Sequence, residues 1–200
     1  MGILDELYIR KFHEDKFEKY GSDNSKSLGW FSEESQLKRF EILSQIGDLN
    51  DKSVLDVGCG NGDLCRYLNE KYKNIRYSGI DFISTFLDNA IELNKNYPDT
   101  KFYQGDFMSG ELPEADYVFA CGSLNYKNSD PDFIFKAISR LHQHSRIGFG
   151  FNLLSKTLNS DGILMTYSPP SILDYCRTLS KKVVLNTDYE EGDYTIYLYV

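Results

Sequence analysis

Residues 54–64 place three glycines between a short apolar run and a segment with helical periodicity. The sequence Val-Leu-Asp-Val-Gly-Cys-Gly-Asn-Gly-Asp-Leu predicts a strand over Ser53–Val57 that leads through Gly58–Gly62 into a helix starting at Asp63. A mostly apolar strand is typical of a parallel sheet that is covered on both faces. Glycines permit a tight turn and let a ligand approach the backbone, while the helix N-terminus offers unpaired N–H groups. The pattern therefore predicts a ligand-binding turn at the end of a parallel strand.

Predicted strands and helices alternate along most of the chain after this turn. Strands are predicted over 76–80, 101–104, 115–120 and 147–153, a short extended segment over 163–166, and helices over 63–72, 84–93, 132–141 and 170–179. The C-terminus then changes to two strands, 182–187 and 194–200, joined by an acidic turn that contains Gly192. This order predicts an α/β fold, doubly wound around a mainly parallel sheet, with an antiparallel C-terminal hairpin.

The segment before the first strand is predicted to be a helical extension. Ser32 can cap a helix on which apolar residues recur at near-helical spacing as far as Ile46. Aromatic residues are frequent here, and they can cover a ligand bound at the strand ends. We therefore divide the chain into an N-terminal helical extension or lid, residues 1–50, and a ligand-binding domain, residues 51–200.

The composition limits the classes of protein that this chain can represent. Its 200 residues are 41% hydrophobic and 26% charged, which is typical of a soluble globular domain. The net charge of −8 disfavours nucleic acid as a partner, because phosphate-driven binding needs a basic face. No apolar run approaches the ~20 residues that span a bilayer, and no signal-peptide core is visible. We expect a cytoplasmic protein without membrane contact, whose four cysteines are reduced thiols.

Two more carboxylates are expected beside the glycine loop. Asp81 ends the second predicted strand in Gly-Ile-Asp, and Asp106 follows the third in Gly-Asp-Phe. A carboxylate has two oxygens, so Asp81 can accept hydrogen bonds from both hydroxyls of a ribose. Asp106 can accept from an adenine amino group while the backbone N–H of Phe107 meets a ring nitrogen. Together with the loop, these residues favour a nucleoside-containing ligand over a plain strand–helix turn.

These motifs resemble those of the class I S-adenosylmethionine-dependent methyltransferases. The resemblance rests on Leu-Asp-Val-Gly-Cys-Gly-Asn-Gly over 55–62, on Asp81, and on Gly-Asp-Phe over 105–107. By the order of elements it covers roughly residues 30–200. It implies a Rossmann-like, seven-stranded sheet with an antiparallel last strand, and S-adenosyl-L-methionine bound across the strand ends of residues 51–200.

The resemblance also implies roles for individual residues. Asp56 would lie near the methionine amino group, Asp81 would hold the ribose, and the loop Cys121–Ser123 would lie beside the methionine. Arg39 in the extension would meet the methionine carboxylate with its planar fork; the alternative is that it forms a surface ion pair. The expected cofactor-binding residues are Tyr20, Trp30, Arg39, Asp56, Gly58, Cys59, Gly60, Asn61, Asp81, Phe82, Asp106, Phe107, Cys121 and Ser123.

The sequence does not identify the methyl acceptor. Asn125 and Tyr126 lie on the loop that faces acceptors in this family, so we expect them to bind the substrate, with turn chemistry as the alternative. The proline pair by which the family's base-amino methyltransferases are known is missing there, so we expect a small molecule or a protein side chain. No catalytic residue is assigned, since alignment alone can suffice for methyl transfer. His142 and His144 lack a clear third ligand, so no metal site is expected.

Two other functions stay open on the sequence alone. An NAD(P)-dependent oxidoreductase uses a similar loop, but its fingerprint needs glycine where Asp63 stands, and an acid would repel a pyrophosphate. S-adenosylmethionine has no phosphate, and its sulfonium and amino groups are cationic, so the acidic loop suits it better. A non-catalytic cofactor-binding partner subunit would carry the same motifs.

Overall fold

The fold combines seven strands with six α-helices in a computed structural model that describes residues 2–21, 24–156 and 162–200. The strands are β1 Ser53–Val57, β2 Arg76–Asp81, β3 Thr100–Gln104, β4 Ala115–Ala120, β5 Ser145–Leu154, β6 Val183–Asn186 and β7 Asp193–Tyr199. The helices are α1 Ile3–Tyr20, α2 Glu33–Ser44, α3 Asp63–Lys71, α4 Ser84–Leu93, α5 Phe133–Gln143 and α6 Pro169–Leu179, with a 3-10 helix at Ser25–Leu28. None of the described helices is long and apolar enough to cross a membrane.

All seven strands form one sheet in the order β3-β2-β1-β4-β5-β7-β6. Neighbouring strands are parallel from β3 to β5, whereas β7 runs antiparallel to both β5 and β6. The strand order reverses between β1 and β4, and ligands of open α/β sheets bind at the carboxyl ends of the strands at such a point. The predicted α/β class and the seven-stranded, mainly parallel sheet with its antiparallel hairpin strand are confirmed.

Two regions differ from the sequence prediction. The helical extension begins with the long helix α1, which the sequence did not locate because its charged and aromatic residues form no apolar stripe. The segment predicted to be extended over 163–166 contributes only an isolated bridge between Leu164 and Tyr126. It cannot join the sheet beside β5, because β4 and β7 already occupy both edges of that strand.

Each face of the sheet is covered by its own hydrophobic cluster. Buried side chains of α5 and α6 pack on one face, and those of α2 and α3 pack on the other. Leu43 of α2 is fully buried and shares its cluster with Val54 of β1 and Phe119 of β4. The second helix of the predicted extension therefore covers the sheet directly. The division into 1–50 and 51–200 stays a prediction.

β7 connects the two covering layers. Its alternate side chains enter the two hydrophobic clusters, as the two-residue period of a strand requires. The Tyr197 hydroxyl donates a hydrogen bond to the carbonyl of Ile42, and the Tyr199 hydroxyl donates to the carbonyl of Ile46 at 2.9 Å. Ile42 lies in the last turn of α2, and Ile46 follows two residues after its last residue Ser44. β7 thus stabilises both the sheet and the position of α2.

Removal of residues 193–200 is expected to abolish cooperative folding. Three fully buried or nearly fully buried side chains of β7, Tyr194, Ile196 and Leu198, would be lost, and each such burial contributes roughly 1.5–3 kcal/mol. Their sum approaches the whole stability of a typical domain, about 5–15 kcal/mol. Circular dichroism melting would measure the effect, with Val200→Ala as the control because Val200 is 74% exposed. A soluble truncated chain with a sharp melting transition would show that β7 is dispensable.

Candidate functional site

The glycine loop joins β1 to α3 at the point where the strand order reverses. Gly58 and Gly60 have φ angles of 73° and 53°, in the left-handed region that favours glycine. A Cβ atom on Gly58 would lie 2.4 Å from the Cβ of Ser123 in the loop after β4. Side chains are therefore excluded from both positions, and the loops after β1 and β4 lie in direct contact.

A cavity with about 900 Å³ of atom-free space, partly open to solvent, lies against this loop. It occupies the carboxyl ends of β1, β2 and β4, and side chains of α1 and α2 contribute to its wall. The sequence-predicted residues on the wall are Trp30, Asp56, Gly58, Cys59, Gly60, Asp81, Phe82, Phe107, Cys121, Ser123 and Tyr126. The structure thus brings most of the expected residues to one cavity.

Asp56 is a buried carboxylate on this wall. Its Oδ2 atom accepts a hydrogen bond from the Tyr77 hydroxyl, whereas its Oδ1 atom has no hydrogen-bond partner among the described residues. Burial raises the pKa of Asp56 from 3.8 to about 7, and the nearby carboxylates of Asp81 and Asp63 contribute to the increase. Within the described residues no lysine or arginine lines the cavity. The wall is therefore electronegative, and the cations beside it, Arg66 paired with Asp63 and Arg10 at the Phe82 carbonyl, lie outside it.

Asp81 ties the glycine loop to the end of β2. Its Oδ2 atom accepts from the backbone N–H of Gly60 at 2.9 Å, and its Oδ1 atom accepts from that of Ile83 at 2.9 Å. Burial raises the pKa of the Asp81 carboxyl, although these backbone donors oppose the change. Each oxygen has two lone pairs, so Asp81 can accept further hydrogen bonds from a ligand while it holds the loop.

Four of the expected site residues lie away from the cavity wall, because each serves a local contact. Tyr20 contacts Lys19 at the end of α1, and the Asn61 side chain accepts a hydrogen bond from Asn89. Asp106 accepts from the backbone N–H of Met108 at 2.9 Å, and Asn125 donates to the carbonyl of Met165 at 2.9 Å. Tyr20, Asn61, Asp106 and Asn125 therefore lie off this wall, and their expected roles in binding stay predictions.

Arg39 also lies outside the wall, in a buried ion pair. Its guanidinium pairs with the Asp193 carboxylate at the start of β7 and donates to the carbonyl of Ser35 at 2.7 Å. Asp193 in turn accepts from the Tyr189 hydroxyl at 2.9 Å. Arg39 thus has a buried partner within the fold, and its expected contact with a cofactor carboxylate stays a prediction. The alternative of a surface pair is wrong, because Arg39 is only 8% exposed.

Trp30 covers the cavity from the extension, as the sequence predicted. The Arg39 guanidinium lies over its ring at 5.2 Å from the centroid, which is a favourable cation–π distance. A Cβ atom on Gly122 would lie 2.7 Å from the ring, so the indole packs directly on the loop after β4. The buried ion pair thus positions the tryptophan that covers the site.

The sequence did not reveal the part of the wall formed by α1. His13 is buried, with its Nδ1 atom 3.2 Å from the carbonyl oxygen of Ser27 and its Nε2 atom 2.7 Å from the Tyr126 hydroxyl. Ile9 and His13 are the buried residues of α1, and both line the cavity. Their four-residue spacing on one helix face is the only sequence signal of this contact, and it is too short to distinguish a covering helix from a solvated one.

α1 is held over the site by polar contacts. Arg10 donates to the carbonyl of Phe82 at 3.0 Å, and its guanidinium lies 5.2 Å from the centroid of the Phe82 ring. In the first turn of the helix, the Asp5 carboxylate accepts from the Ser129 hydroxyl at 2.7 Å. The helix therefore closes the side of the cavity that faces away from the sheet.

Comparison of the sequence with known proteins identifies a domain and a set of relatives. Residues 54–145, from β1 to the start of β5, match the family model described as a methyltransferase domain. The trans-aconitate 2-methyltransferase of Escherichia coli is 25% identical over 162 residues, which are 80% of this chain and 56% of the relative. The chain thus spans little more than half the length of the curated relatives that it matches.

Solved structures share the fold at low sequence identity. The magnesium protoporphyrin IX methyltransferase of Synechocystis, crystallised with S-adenosylhomocysteine, matches with a TM-score of 0.71 and 13% identity, covering 97% of this chain and 99% of that one. An S-adenosylmethionine-dependent methyltransferase of Aquifex aeolicus matches with a TM-score of 0.64 and 17% identity, covering 83% of this chain and 93% of that one. The sheet is therefore that of the class I methyltransferases, as the sequence motifs implied.

Replacement of Arg39 by alanine is expected to destabilise the chain by about 3–5 kcal/mol, because it leaves the buried Asp193 carboxylate without its cation. The double variant Arg39→Ala/Asp193→Asn should recover part of this loss, since it removes the unpaired charge. Urea unfolding measures both, and Arg177→Ala is the control because Arg177 belongs to an exposed pair, worth about 0–1 kcal/mol. A loss from Arg39→Ala no larger than that of the control would contradict the assignment of a stabilising buried pair.

Replacement of Asp56 by asparagine is expected to stabilise the ligand-free chain at high pH. Because the pKa of Asp56 is about 7 in the folded chain and ordinarily 3.8, the folded state binds more protons between these values. The contribution of Asp56 to the free energy of unfolding therefore falls as the pH rises from about 4 through 7. Asp56→Asn should gain at least ~1 kcal/mol over the wild type at pH 8 and little at pH 4, measured by urea unfolding.

The exposed Asp188 offers a matched control for this pH dependence. Asp188→Asn should change the free energy of unfolding by no more than about 0.5 kcal/mol, as is usual for surface positions. A difference between Asp56→Asn and the wild type that is the same at pH 4 and pH 8 would show that the Asp56 carboxylate carries no burial penalty.

Proposed function

We propose that the chain is a class I S-adenosylmethionine-dependent methyltransferase, as its matched domain and its fold support, and that it binds S-adenosylmethionine in the cavity beside Gly58–Gly62 and methylates an acceptor. The observation that carries this proposal is the buried Asp56 carboxylate, whose Oδ1 atom lacks a partner in a cavity without lysine or arginine among its described wall residues. A buried charge is costly unless it is paired. A ligand with an amino group and a sulfonium supplies the missing positive charge.

The other wall residues fit the remaining parts of this ligand. Asp81 has lone pairs left for two ribose hydroxyls, and Phe107 offers an apolar ring where the third strand ends. Gly58 and Gly60 keep side chains out of the space beside the backbone. When bound, the cofactor supplies an electrophilic methyl group. The chain's own contribution is to orient it and, through Trp30 and α1, to exclude water from the reaction.

The acceptor that best fits the cavity is a small molecule without strong negative charge. Three carboxylates, Asp56, Asp63 and Asp81, line the wall. Asp63 is paired with Arg66, and the nearby Arg39 is neutralised by Asp193, so Asp56 and Asp81 are the wall carboxylates without an ion pair among the described residues. The Escherichia coli relative is named for trans-aconitate, which is an anion with three carboxylates. The acidic wall would repel such a molecule, so we propose a different acceptor for this chain.

The two alternatives are weaker on physical grounds. A dinucleotide would bring its pyrophosphate to a loop flanked by Asp56 and Asp63, and like charges at short distance repel each other strongly in a buried site. A non-catalytic subunit would bind the cofactor equally well, so only turnover separates it from an enzyme. Incubation with methyl-labelled S-adenosylmethionine and a cell extract decides this point, since an enzyme transfers label to a product.

S-adenosylhomocysteine is expected to raise the melting temperature of the chain, as any ligand of the native state does, whereas NAD should leave it unchanged. Asp81→Asn should weaken S-adenosylhomocysteine binding by about 1.5–3 kcal/mol, or roughly 10- to 150-fold, in isothermal titration calorimetry. Asp88→Asn is the matched control, because Asp88 is exposed on the neighbouring helix α4. Unchanged affinity in Asp81→Asn contradicts the ribose role, and a wild-type chain that binds NAD instead contradicts the proposed function.

A further inference from the structure

His13 and Tyr126 form a polar contact on the cavity wall that cofactor binding does not use. They lie far apart in sequence, on α1 and on the loop after β4, yet the His13 Nε2 atom is 2.7 Å from the Tyr126 hydroxyl. Both residues line the same cavity as Asp56, Asp81 and Ser123. The pair therefore faces the space in which a methyl acceptor would meet the cofactor.

The hydrogen-bond partners of His13 determine which of its ring nitrogens carries the proton. The Nδ1 atom is 3.2 Å from the carbonyl oxygen of Ser27, and a carbonyl can only accept. Nδ1 must therefore donate, and in a neutral imidazole the Nε2 atom is then the acceptor. The Tyr126 hydroxyl donates to it. This is the arrangement in which a histidine, oriented by one group, can take a proton from another.

The surroundings of His13 keep this imidazole neutral. Burial lowers the pKa of His13 to about 4, the Ser27 carbonyl opposes the change, and Lys16 on the same helix adds to it. The rings of Phe12, Phe86 and Tyr126 contact the imidazole edge to face. The charged side chains among the described wall residues are the carboxylates of Asp56, Asp63 and Asp81, and Asp63 is paired with Arg66. Nε2 is thus available as an acceptor at neutral pH.

We propose that Tyr126 and His13 accept the proton of a hydroxyl-bearing methyl acceptor, an alcohol or a phenol; the proposal rests on the function proposed above. As the acceptor oxygen bonds to the methyl carbon, the carbon–sulfur bond breaks and its electron pair stays on sulfur. The hydroxyl proton passes to the Tyr126 oxygen, and the Tyr126 proton passes to Nε2 of His13. The products are a methyl ether, a neutral thioether and an imidazolium held by the Ser27 carbonyl.

The charge balance of the cavity supports this step. The sulfonium loses its positive charge while the imidazole gains one, so the total charge near Asp56 and Asp81 stays constant. A carboxylate acceptor would need no base, because it already presents an unprotonated oxygen. A hydroxyl is a poor nucleophile unless its proton is removed during the reaction, and general base catalysis of this kind contributes about 10²- to 10⁴-fold.

The protonation state of His13 can be measured without turnover. The chain has three histidines, so nitrogen-15 NMR of the S-adenosylhomocysteine-bound protein at pH 7, with His13→Gln to assign the signals, reads each ring. We expect His13 to be neutral, with the proton on Nδ1 and none on Nε2. A proton on Nε2, in either the other tautomer or an imidazolium, would overturn the proposal.

The rate of methyl transfer in two variants tests the proposed role of His13 and Tyr126. His13→Gln and Tyr126→Phe preserve size and should reduce the rate of label transfer from saturating S-adenosylmethionine to the extract's product about 10²- to 10⁴-fold. Their affinities for S-adenosylhomocysteine should stay within about threefold of wild type. His142→Gln and Tyr103→Phe are the matched controls, since neither residue lines the cavity, and they should keep the wild-type rate. The labelled product should be a methyl ether.

Two results would contradict the proposed proton-accepting role of His13 and Tyr126 without contradicting cofactor binding. The first is a wild-type rate in both variants, and the second is efficient methylation of a carboxylate such as trans-aconitate. In either case calorimetry would still show S-adenosylhomocysteine binding to the wild type. Failure of the proposed function is distinguishable, because the wild-type chain would then either not bind S-adenosylhomocysteine or bind it and transfer no label to any product.

Discussion

The Asp81 carboxylate provides the contact on which the geometry of the site depends. Its two oxygens accept from the backbone N–H groups of Gly60 and Ile83, so one side chain fixes the glycine loop after β1 and the turn after β2 at the same time. The glycines complete the constraint, because a Cβ on Gly58 would overlap Ser123. Three strand ends are thereby held in contact, and the cavity beside them has a defined shape before any ligand arrives.

This arrangement buries the carboxyl groups of Asp56 and Asp81, and burial of a carboxylate is unfavourable. The pKa of Asp56 rises to about 7 and that of Asp81 is also raised, in both cases mainly through burial. A site of this kind is destabilised in the absence of a cation and is stabilised by a ligand that brings one. The same physics favours a cationic ligand over a pyrophosphate in the cavity.

The N-terminal segment converts an open strand-end site into a covered one. Arg39 pairs with Asp193 and supports the Trp30 ring, which packs on the loop after β4. On the other side, α1 carries His13 to the hydroxyl of Tyr126. Trp30 and α1 are therefore each held in place by a polar contact. On α1, this contact places the His13 imidazole beside the Tyr126 hydroxyl at the cavity wall. Methyl transfer needs such a cover, because alignment and exclusion of water are the protein's main contributions.

The sequence by itself determined the strands, the glycine loop, the order of elements and the acids at the strand ends, because each depends on residues that are neighbours in the chain. The strand over Ser53–Val57 and its turn into α3 are local signals of this kind. Only the tertiary structure decided the partners of residues far apart in sequence. Arg39 pairs with Asp193 at the start of β7, a partner that no local pattern around Arg39 indicates. His13 had no interpretable neighbour in sequence, and it acquires Tyr126 only because α1 folds over the sheet. Long-range contacts of polar side chains follow from how helices pack, and local pattern carries no information about that packing.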